Sequence, residues 1–320
     1  MDNSKIEKAY KILRLGADMS KEFYDKPLIV TYSGGKDSDV LLQLAIECLK
    51  PNEFEVMNSH TTVDAPPTVY HIRETFKRIN ELGIKTYIKF PRDKEGNFVS
   101  LWTLIPKKLM PPTRQIRYCC DVLKEQTTPN RMIATGVRSS ESVKRSKRNE
   151  VEYIVKNKEK WAESKYTYEH AEEVFKDAMA RKGQPHAEVW DCRLIENARK
   201  KKNTVVNPIF SWTDKEVWEY IHDRKVKYNP LYDMGYKRVG CVGCPLGSRK
   251  TQIKEFEDFP KYKDLYIKAF DRMIAERIKT GSKKKKANDS WSDGKSCFEW
   301  WIRDINQVEG QISLFNEKGE

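Results

Sequence analysis

Residues 28 to 44, LIVTYSGGKDSDVLLQL, limit the possible fold more than any other stretch of the chain. Leu28 to Tyr32 is a short, β-branched apolar run bounded by Pro27 and two glycines, which predicts a fully buried strand. From Asp39 onward, Val40, Leu41, Leu42, Leu44 and Ala45 fall at helical spacing. The segment therefore reads strand, tight loop, helix. Backbone N–H groups at a glycine loop and a helix start favour an anion, and Lys36 adds a compact positive charge, so phosphate is the expected guest. The letters S-G-G-x-D-S arise by chance in a chain of this length only on the order of once in several thousand. The loop follows neither the Walker spacing nor G-x-G-x-x-G.

The alternation continues downstream. Residues 1–24 predict an amphipathic helix and 53–58 a second strand; VYHIRETFKRINELG predicts a helix stopped at Gly83, and IKTYIKF a third strand. A further strand is expected at 131–137, delivering Gly136, and VVNPIFSW returns to the sheet. Thr213 and Glu216 make a capping box for the helix TDKEVWEYIHD. Residues 156–203 read as a helical insertion, and one long amphipathic helix is expected from about 249 to 279. The class is α/β, a parallel β-sheet with helices on both faces, with ligands at the carboxyl ends of the strands, where SGGKDS and HTTVDAPP fall. The expected division is a nucleotide-binding domain over 1–247 and a helical extension with a basic loop and tail over 248–320.

A net charge of +13 over 320 residues favours anionic partners, and the excess is concentrated at 143–150, 198–203 and 282–288. Lysine runs are commonly solvated loops, so charge admits a polynucleotide without naming one. No apolar run approaches the roughly 18 residues of a membrane span, and the start MDNSKIEKAY has no signal-peptide core, so no membrane partner and a cytoplasmic location are expected. A disulfide framework is not expected of the seven cysteines in that setting. Cys48, Cys192 and Cys297, among apolar or aromatic neighbours, read as small core residues. The adjacent pair Cys119–Cys120 and the C-x-x-C of Cys241 and Cys244 do not. Thiolates suit iron–sulfur clusters and structural zinc alike, and adjacent ligands favour iron and sulfur.

Four motifs occur in one order: SGGKDS, ATGVRSSESVKR, NPIFSWTDKEVWEYIHD and YNPLYDMGYKRVGC. Together they resemble the phosphoadenosine phosphosulfate (PAPS) reductase family of the PP-loop ATP pyrophosphatase superfamily, over about residues 27–247. The resemblance implies an adenine nucleotide α-hydrolase-like fold and a PP-loop of Ser33, Gly34, Gly35, Lys36, Asp37 and Ser38 that holds ATP, or the sulfonucleotides APS or PAPS. It places Gly136 and Arg138, with Lys144 and Arg145, at the anionic end of the nucleotide. Lys36, Asp37 and Arg138 would act on the reacting phosphate, with Asp37 a candidate for Mg2+. The cysteines are similar to the [4Fe-4S] pattern of adenylylsulfate reductases, which implies Cys119, Cys120, Cys241 and Cys244 as ligands beside the nucleotide.

Two departures move the expected chemistry away from those reductases. Their E-C-G-x-H nucleophile motif has no counterpart in the sequence, and HTTVDAPPTVYHI resembles the corresponding loop of proteins that activate DNA for phosphorothioation. The expectation is adenylation of a nucleic-acid acceptor, DNA ahead of tRNA, followed by sulfur transfer from a cysteine desulfurase or another sulfur donor. The alternatives are a sulfonucleotide reductase releasing sulfite and a non-catalytic nucleotide-binding regulator. GQISLF, with Gln311, Leu314 and Phe315, resembles a sliding-clamp binding peptide.

Overall fold

In the computed structural model, residues 2–125, 130–154, 164–183, 193–281 and 291–303 are described. Seven strands form one mixed sheet: β1 (Leu28–Thr31), β2 (Phe54–Ser59), β3 (Thr86–Lys89), β4 (Met132–Ala134), β5 (Val151–Tyr153), β6 (Lys165–Tyr166) and β7 (Thr204–Val206). Their order is β3-β2-β1-β4-β7-β5-β6. The first five in that order run parallel, and β5 and β6 add an antiparallel edge. The chain is thus a mostly parallel α/β protein. Because β1 leads leftward to β2 while β4 lies on its other side, the carboxyl ends of β1 and β4 flank the crevice where open α/β sheets take their ligands.

The helices are α1 (Asn3–Met19), α2 (Lys36–Cys48), α3 (Pro66–Glu81), α4 (Leu101–Lys108), the single turn α5 (Tyr118–Cys120), α6 (Val143–Ser146), α7 (Tyr168–Ala180), α8 (Arg193–Arg199), α9 (Asp214–Asp223), α10 (Arg249–Asp258), α11 (Pro260–Lys279) and α12 (Gly294–Ile302). The pattern predicts one helix from about 249 to 279; the chain instead breaks at Phe259, because Pro260 has no N–H to continue the ladder and starts a new helix at its first position. The 156–203 stretch contributes β6, α7 and α8, with 155–163 and 184–192 outside the described residues. Cys192, the 282–288 lysine run and the 310–315 peptide also lie outside them.

Two compact units result. Met1–His60, Pro66–Phe90 and Lys124–Gly240 make the first; Thr61–Ala65, Pro91–Leu123 and Cys241–Glu320 make the second. In the first, Leu28, Val30, Val56, Met132, Ala134 and Val206 point to one side of the sheet and share a core with residues of α1, α2, α3, α7, α8 and α9. Strand alternation sends Ile29, Met57, Ile133 and Val205 to the other side as a smaller cluster. In the second, α11 packs on α4 and α12. Its interior is aromatic: Tyr266 lies 4.7 Å from Trp301 and 5.7 Å from Phe256, centroid to centroid. No helix among the described residues is long and apolar enough to cross a membrane.

Candidate active site and cysteine cluster

The loop after β1 is shaped by glycine and serine. Gly34 has φ +73°, and a Cβ there would lie 2.9 Å from Ile72 of α3. Gly35 caps α2, its carbonyl accepting from the N–H groups of Ser38 and Asp39. The Ser38 hydroxyl donates to the Gly35 carbonyl (2.7 Å) and accepts from the N–H groups of Gly35 (3.1 Å) and Ser33 (3.2 Å). Ser38 is buried and holds the loop together from inside, whereas Ser33 is exposed. Asn229, fully buried, clamps the loop by donating to the Gly34 carbonyl (2.8 Å) and Thr68 (3.0 Å), and the Lys36 N–H donates to the Tyr232 hydroxyl (3.0 Å).

Gly136, beyond β4, approaches this loop backbone to backbone. A Cβ at 136 would sit 2.9 Å from the Asp37 carbonyl oxygen and 3.4 Å from the Ser38 nitrogen. Only glycine permits that approach without displacing the start of α2. The contact brings Arg138 within reach of Asp37, Nε to Oδ1 at 2.7 Å.

Four charges then form a closed set. Lys36 Nζ lies 3.1 Å from Asp37 Oδ2 and 2.8 Å from Asp214 Oδ1; Arg138 Nη2 lies 2.9 Å from the same Asp214 oxygen. Lys36 and Arg138 are buried, while the Asp214 side chain is 64 % exposed. Burial alone would raise the Asp214 carboxyl, but the Lys36 hydrogen bond and the charges of Lys36 and Arg138 outweigh it and hold it below the usual carboxylate range. Two buried cations at a helix start are suited to a transferring phosphoryl group. Arg145, ion-paired with Glu141, sits in α6 beside the exposed Lys144. Its guanidinium is pushed down to about 10 by burial and by Arg238, Arg148 and Arg138, against the pull of Asp37.

Sequence reasoning missed Asp214, Asn229 and Tyr232. All three fall inside the motif stretches SWTDKEVW and YNPLY, where only the helix cap and the resemblance had been read. It also missed a buried network under α2: Asp39 Oδ1 accepts from the Tyr32 hydroxyl (2.6 Å) and lies 2.9 Å from His71 Nε2, while Asp39 Oδ2 is buried with no hydrogen-bond partner. Burial raises the Asp39 carboxyl despite the His71 and Tyr32 contacts.

Within the second unit, Cys119 and Cys120 sit on α5 and Cys241 and Cys244 on the turn before α10, all four half-buried. A hydrogen bond with Cys120, then burial, then the charges of Cys120, Cys241 and Cys244 push the Cys119 thiol far above the ordinary thiol range. Cys119 therefore lies within electrostatic reach of the other three sulfurs. The turn is held rigidly. Gly243 (φ +70°) packs so tightly that a Cβ would lie 2.6 Å from Phe256, its N–H donates to Glu255 (2.7 Å), its carbonyl accepts from Gln252 (3.1 Å), and Tyr266 donates to the Val242 carbonyl (2.9 Å). The HTTVDAPP loop serves this turn: Thr61 Oγ1 lies 3.5 Å from Cys241 Sγ, and the Val63 carbonyl accepts from the Val242 N–H (2.8 Å).

Among the described residues, no three His, Cys, Asp or Glu side chains converge as ligands of a single metal ion. A [4Fe-4S] cluster gives each thiolate its own iron and spreads its ligands more widely than the sulfurs around one zinc, so an all-thiol set of four suits it. Cys297 is fully buried in α12, its thiol pushed up to about 12 by burial.

The phosphoadenosine phosphosulfate reductase domain matches residues 27–247. An uncharacterized protein of Methanocaldococcus jannaschii is 26 % identical over 236 residues, which cover 74 % of this chain and 40 % of that protein. The chain thus spans less than half the length of that relative. An adenosine 5'-phosphosulfate reductase of Anoxybacillus flavithermus is 24 % identical over 225 residues, covering 70 % of this chain and 74 % of the reductase. Among solved structures, a PAPS reductase of Candida auris in a phosphate complex aligns over 75 % of this chain and 96 % of its own, with 16 % identity and a TM-score of 0.40.

Proposed function

The chain belongs to the phosphoadenosine phosphosulfate reductase domain family, and from that premise we propose that it is an ATP-using enzyme that adenylates a nucleic-acid acceptor for sulfur transfer, DNA phosphorothioation being the favoured case. The observation that carries the reading is the pair of buried cations, Lys36 and Arg138, at the glycine loop beside the β1–β4 crevice. Such cations stabilise charge that develops when an acceptor oxygen attacks the α-phosphate.

The division of labour follows from the contacts. Backbone N–H groups of the loop cradle the phosphates, with Ser38 and Asn229 keeping the loop in shape. ATP phosphates would take over the cations that Asp37 and Asp214 hold, and the released carboxylates would be the residues to hold Mg2+, which would offset phosphate charge. The acceptor oxygen then bonds to the α-phosphorus, and the α–β bridging bond breaks to release pyrophosphate. A hydrosulfide-level sulfur donor next bonds to the activated acceptor phosphorus, and AMP departs with the acceptor oxygen. Cys119, Cys120, Cys241 and Cys244 would hold a [4Fe-4S] cluster, which supplies redox or sulfur-binding capacity when bound.

A sulfonucleotide reductase is the second reading, favoured by the Anoxybacillus relative. The burial and raised thiol of Cys297 argue against that residue as its nucleophile, since thiolate and access are both required. One assay separates the two. Anaerobically purified protein is given ATP with and without DNA or tRNA while pyrophosphate is followed, and sulfite release from APS and PAPS is measured on the same sample. Acceptor-stimulated pyrophosphate supports adenylation; sulfite without ATP cleavage overturns it.

A further inference from the structure

The first unit carries more cationic surface beside the nucleotide loop than a nucleotide uses. Two segments make it. One is α6 with its flanks, where Val143 is 77 % exposed and Lys144, Ser146 and Lys147 are exposed beside it. The other is the segment after Tyr232, in which Lys237 and Arg238 are exposed. The second segment lies on the glycine loop: Tyr232 accepts from the Lys36 N–H, and the Val239 Cβ would lie 4.0 Å from a Cβ on Gly35. The first continues directly from Arg138. Arg145 feels Arg238, Arg148 and Arg138 at once, which ties the two segments into one field.

The carboxylates of the region are already engaged. Asp37 and Asp214 hold Lys36 and Arg138, Glu141 holds Arg145, and Glu152 holds Arg148. No described carboxylate lies within ion-pair distance of Lys147, Lys237 or Arg238. These cations are exposed and lie on two separate segments, one that continues from Arg138 and one that adjoins the glycine loop, with exposed Val143 on the first. Exposed positive charges carried on two segments match a chain of phosphodiesters better than one small anion.

We propose that α6 and the 237–239 segment form a track for the sugar–phosphate backbone of a nucleic-acid strand, leading it to the nucleotide at the glycine loop. Lys147, Lys237 and Arg238 contact phosphates and set no sequence preference. This rests on the nucleic-acid acceptor reading above and names the surface that takes the acceptor.

The test is salt-dependent binding of the full chain to a short DNA duplex and to an unmodified tRNA, with ATP affinity measured on each variant. Replacing three phosphate contacts (Lys147→Ala, Lys237→Ala, Arg238→Ala) should lower the slope of log K against log salt by about 2 to 3 and weaken binding on the order of a hundredfold at low salt. The control removes equal charge from the exposed 199–202 run of the same unit (Arg199→Ala, Lys200→Ala, Lys202→Ala), and its slope should stay at the wild-type value. Lys147→Arg with Lys237→Arg should retain binding. Equal losses in both triple variants would overturn the track in favour of net charge alone. A parallel loss of ATP affinity would overturn it by assigning these cations to the nucleotide. If the wild type binds both nucleic acids but the triple variant binds as well as it does, the track fails while the acceptor reading stands. If the wild type binds neither, both fail. Whichever nucleic acid shows the variant-sensitive slope is the strand the track carries.

Discussion

The glycine loop of the first unit and the cysteine turn of the second have similarly held backbones and different side-chain chemistry. Each is a tight turn with a glycine at positive φ, Gly34 at +73° and Gly243 at +70°, and each is packed so closely that a Cβ would strike a side chain, Ile72 or Phe256. Each has its backbone tied down by neighbours, Asn229 and Ser38 in one case, Glu255, Gln252 and Tyr266 in the other. The side chains differ. At the glycine loop two cations meet two carboxylates, so the charges balance within the protein. At the cysteine turn the charges of Cys120, Cys241 and Cys244 all oppose ionisation of Cys119. A rigid backbone is therefore common to both, and the ligand chemistry is set by what the side chains lack. An anion can exchange for the carboxylates at the first, whereas at the second the Cys119 thiol keeps its proton.

The largest effect should come from breaking the balanced set. Lys36→Ala leaves Asp37 and Asp214 facing Arg138 alone and removes a cation from the phosphate site. Pyrophosphate release should fall on the order of a hundredfold to a thousandfold, with weaker ATP binding; unchanged ATP affinity in calorimetry would remove Lys36 from the site. The cysteine turn is broken by Cys241→Ser, which should abolish the brown visible absorbance of the anaerobically purified protein. Cys297→Ser, at a buried thiol outside the four, should keep the colour. Equal colour in both variants would dissolve the ligand assignment.

A smaller effect tests the tight backbone of the glycine loop. Gly136→Ala puts a methyl 2.9 Å from the Asp37 carbonyl, so the start of α2 must shift. Thermal or denaturant unfolding should show a loss of about 1–3 kcal/mol, accompanied by lower ATP affinity from the displaced loop. Full stability with normal ATP binding would mean that the close approach is not needed.

What could be read from the sequence was local. Two glycines after a β-branched run gave the strand, loop and helix, and Thr213 with Glu216 gave a helix start that the structure closes reciprocally, Thr213 N to Glu216 Oε2 at 2.7 Å and Glu216 N to Thr213 Oγ1 at 3.2 Å. The four cysteines paired by their spacing all fall in one unit. What the sequence hid depends on contacts across the chain. Asp214 looks like an exposed first-turn acid until Lys36 and Arg138 are seen on its oxygen. Asn229 looks like a turn residue, yet its amide reaches back 195 positions to Gly34. The strands β5 and β6, three and two residues long, are too short to show a period. Thr61–Ala65, expected at the carboxyl end of the second strand, follows β2 and also pairs with the cysteine turn.

The finest test concerns Glu255, which anchors the cysteine turn through the Gly243 N–H. Burial pushes its carboxyl up to about 7 from an ordinary 4.5, the Gly243 hydrogen bond opposing only in part. A carboxyl raised in the folded state binds its proton more tightly there than in the unfolded chain. Its stabilising contribution is complete below about pH 4.5 and is lost as pH rises toward 7. Glu255→Gln stays neutral, and its side-chain oxygen can still accept from Gly243, so that loss should vanish. Melting temperatures of the two proteins should converge near pH 4.5 and separate by pH 8, with the glutamine variant the more stable at the higher pH. Parallel profiles across that range would show that the carboxyl stays charged in its pocket, and that the cysteine turn is anchored by a carboxylate where the glycine loop is anchored by the neutral Asn229 and Ser38.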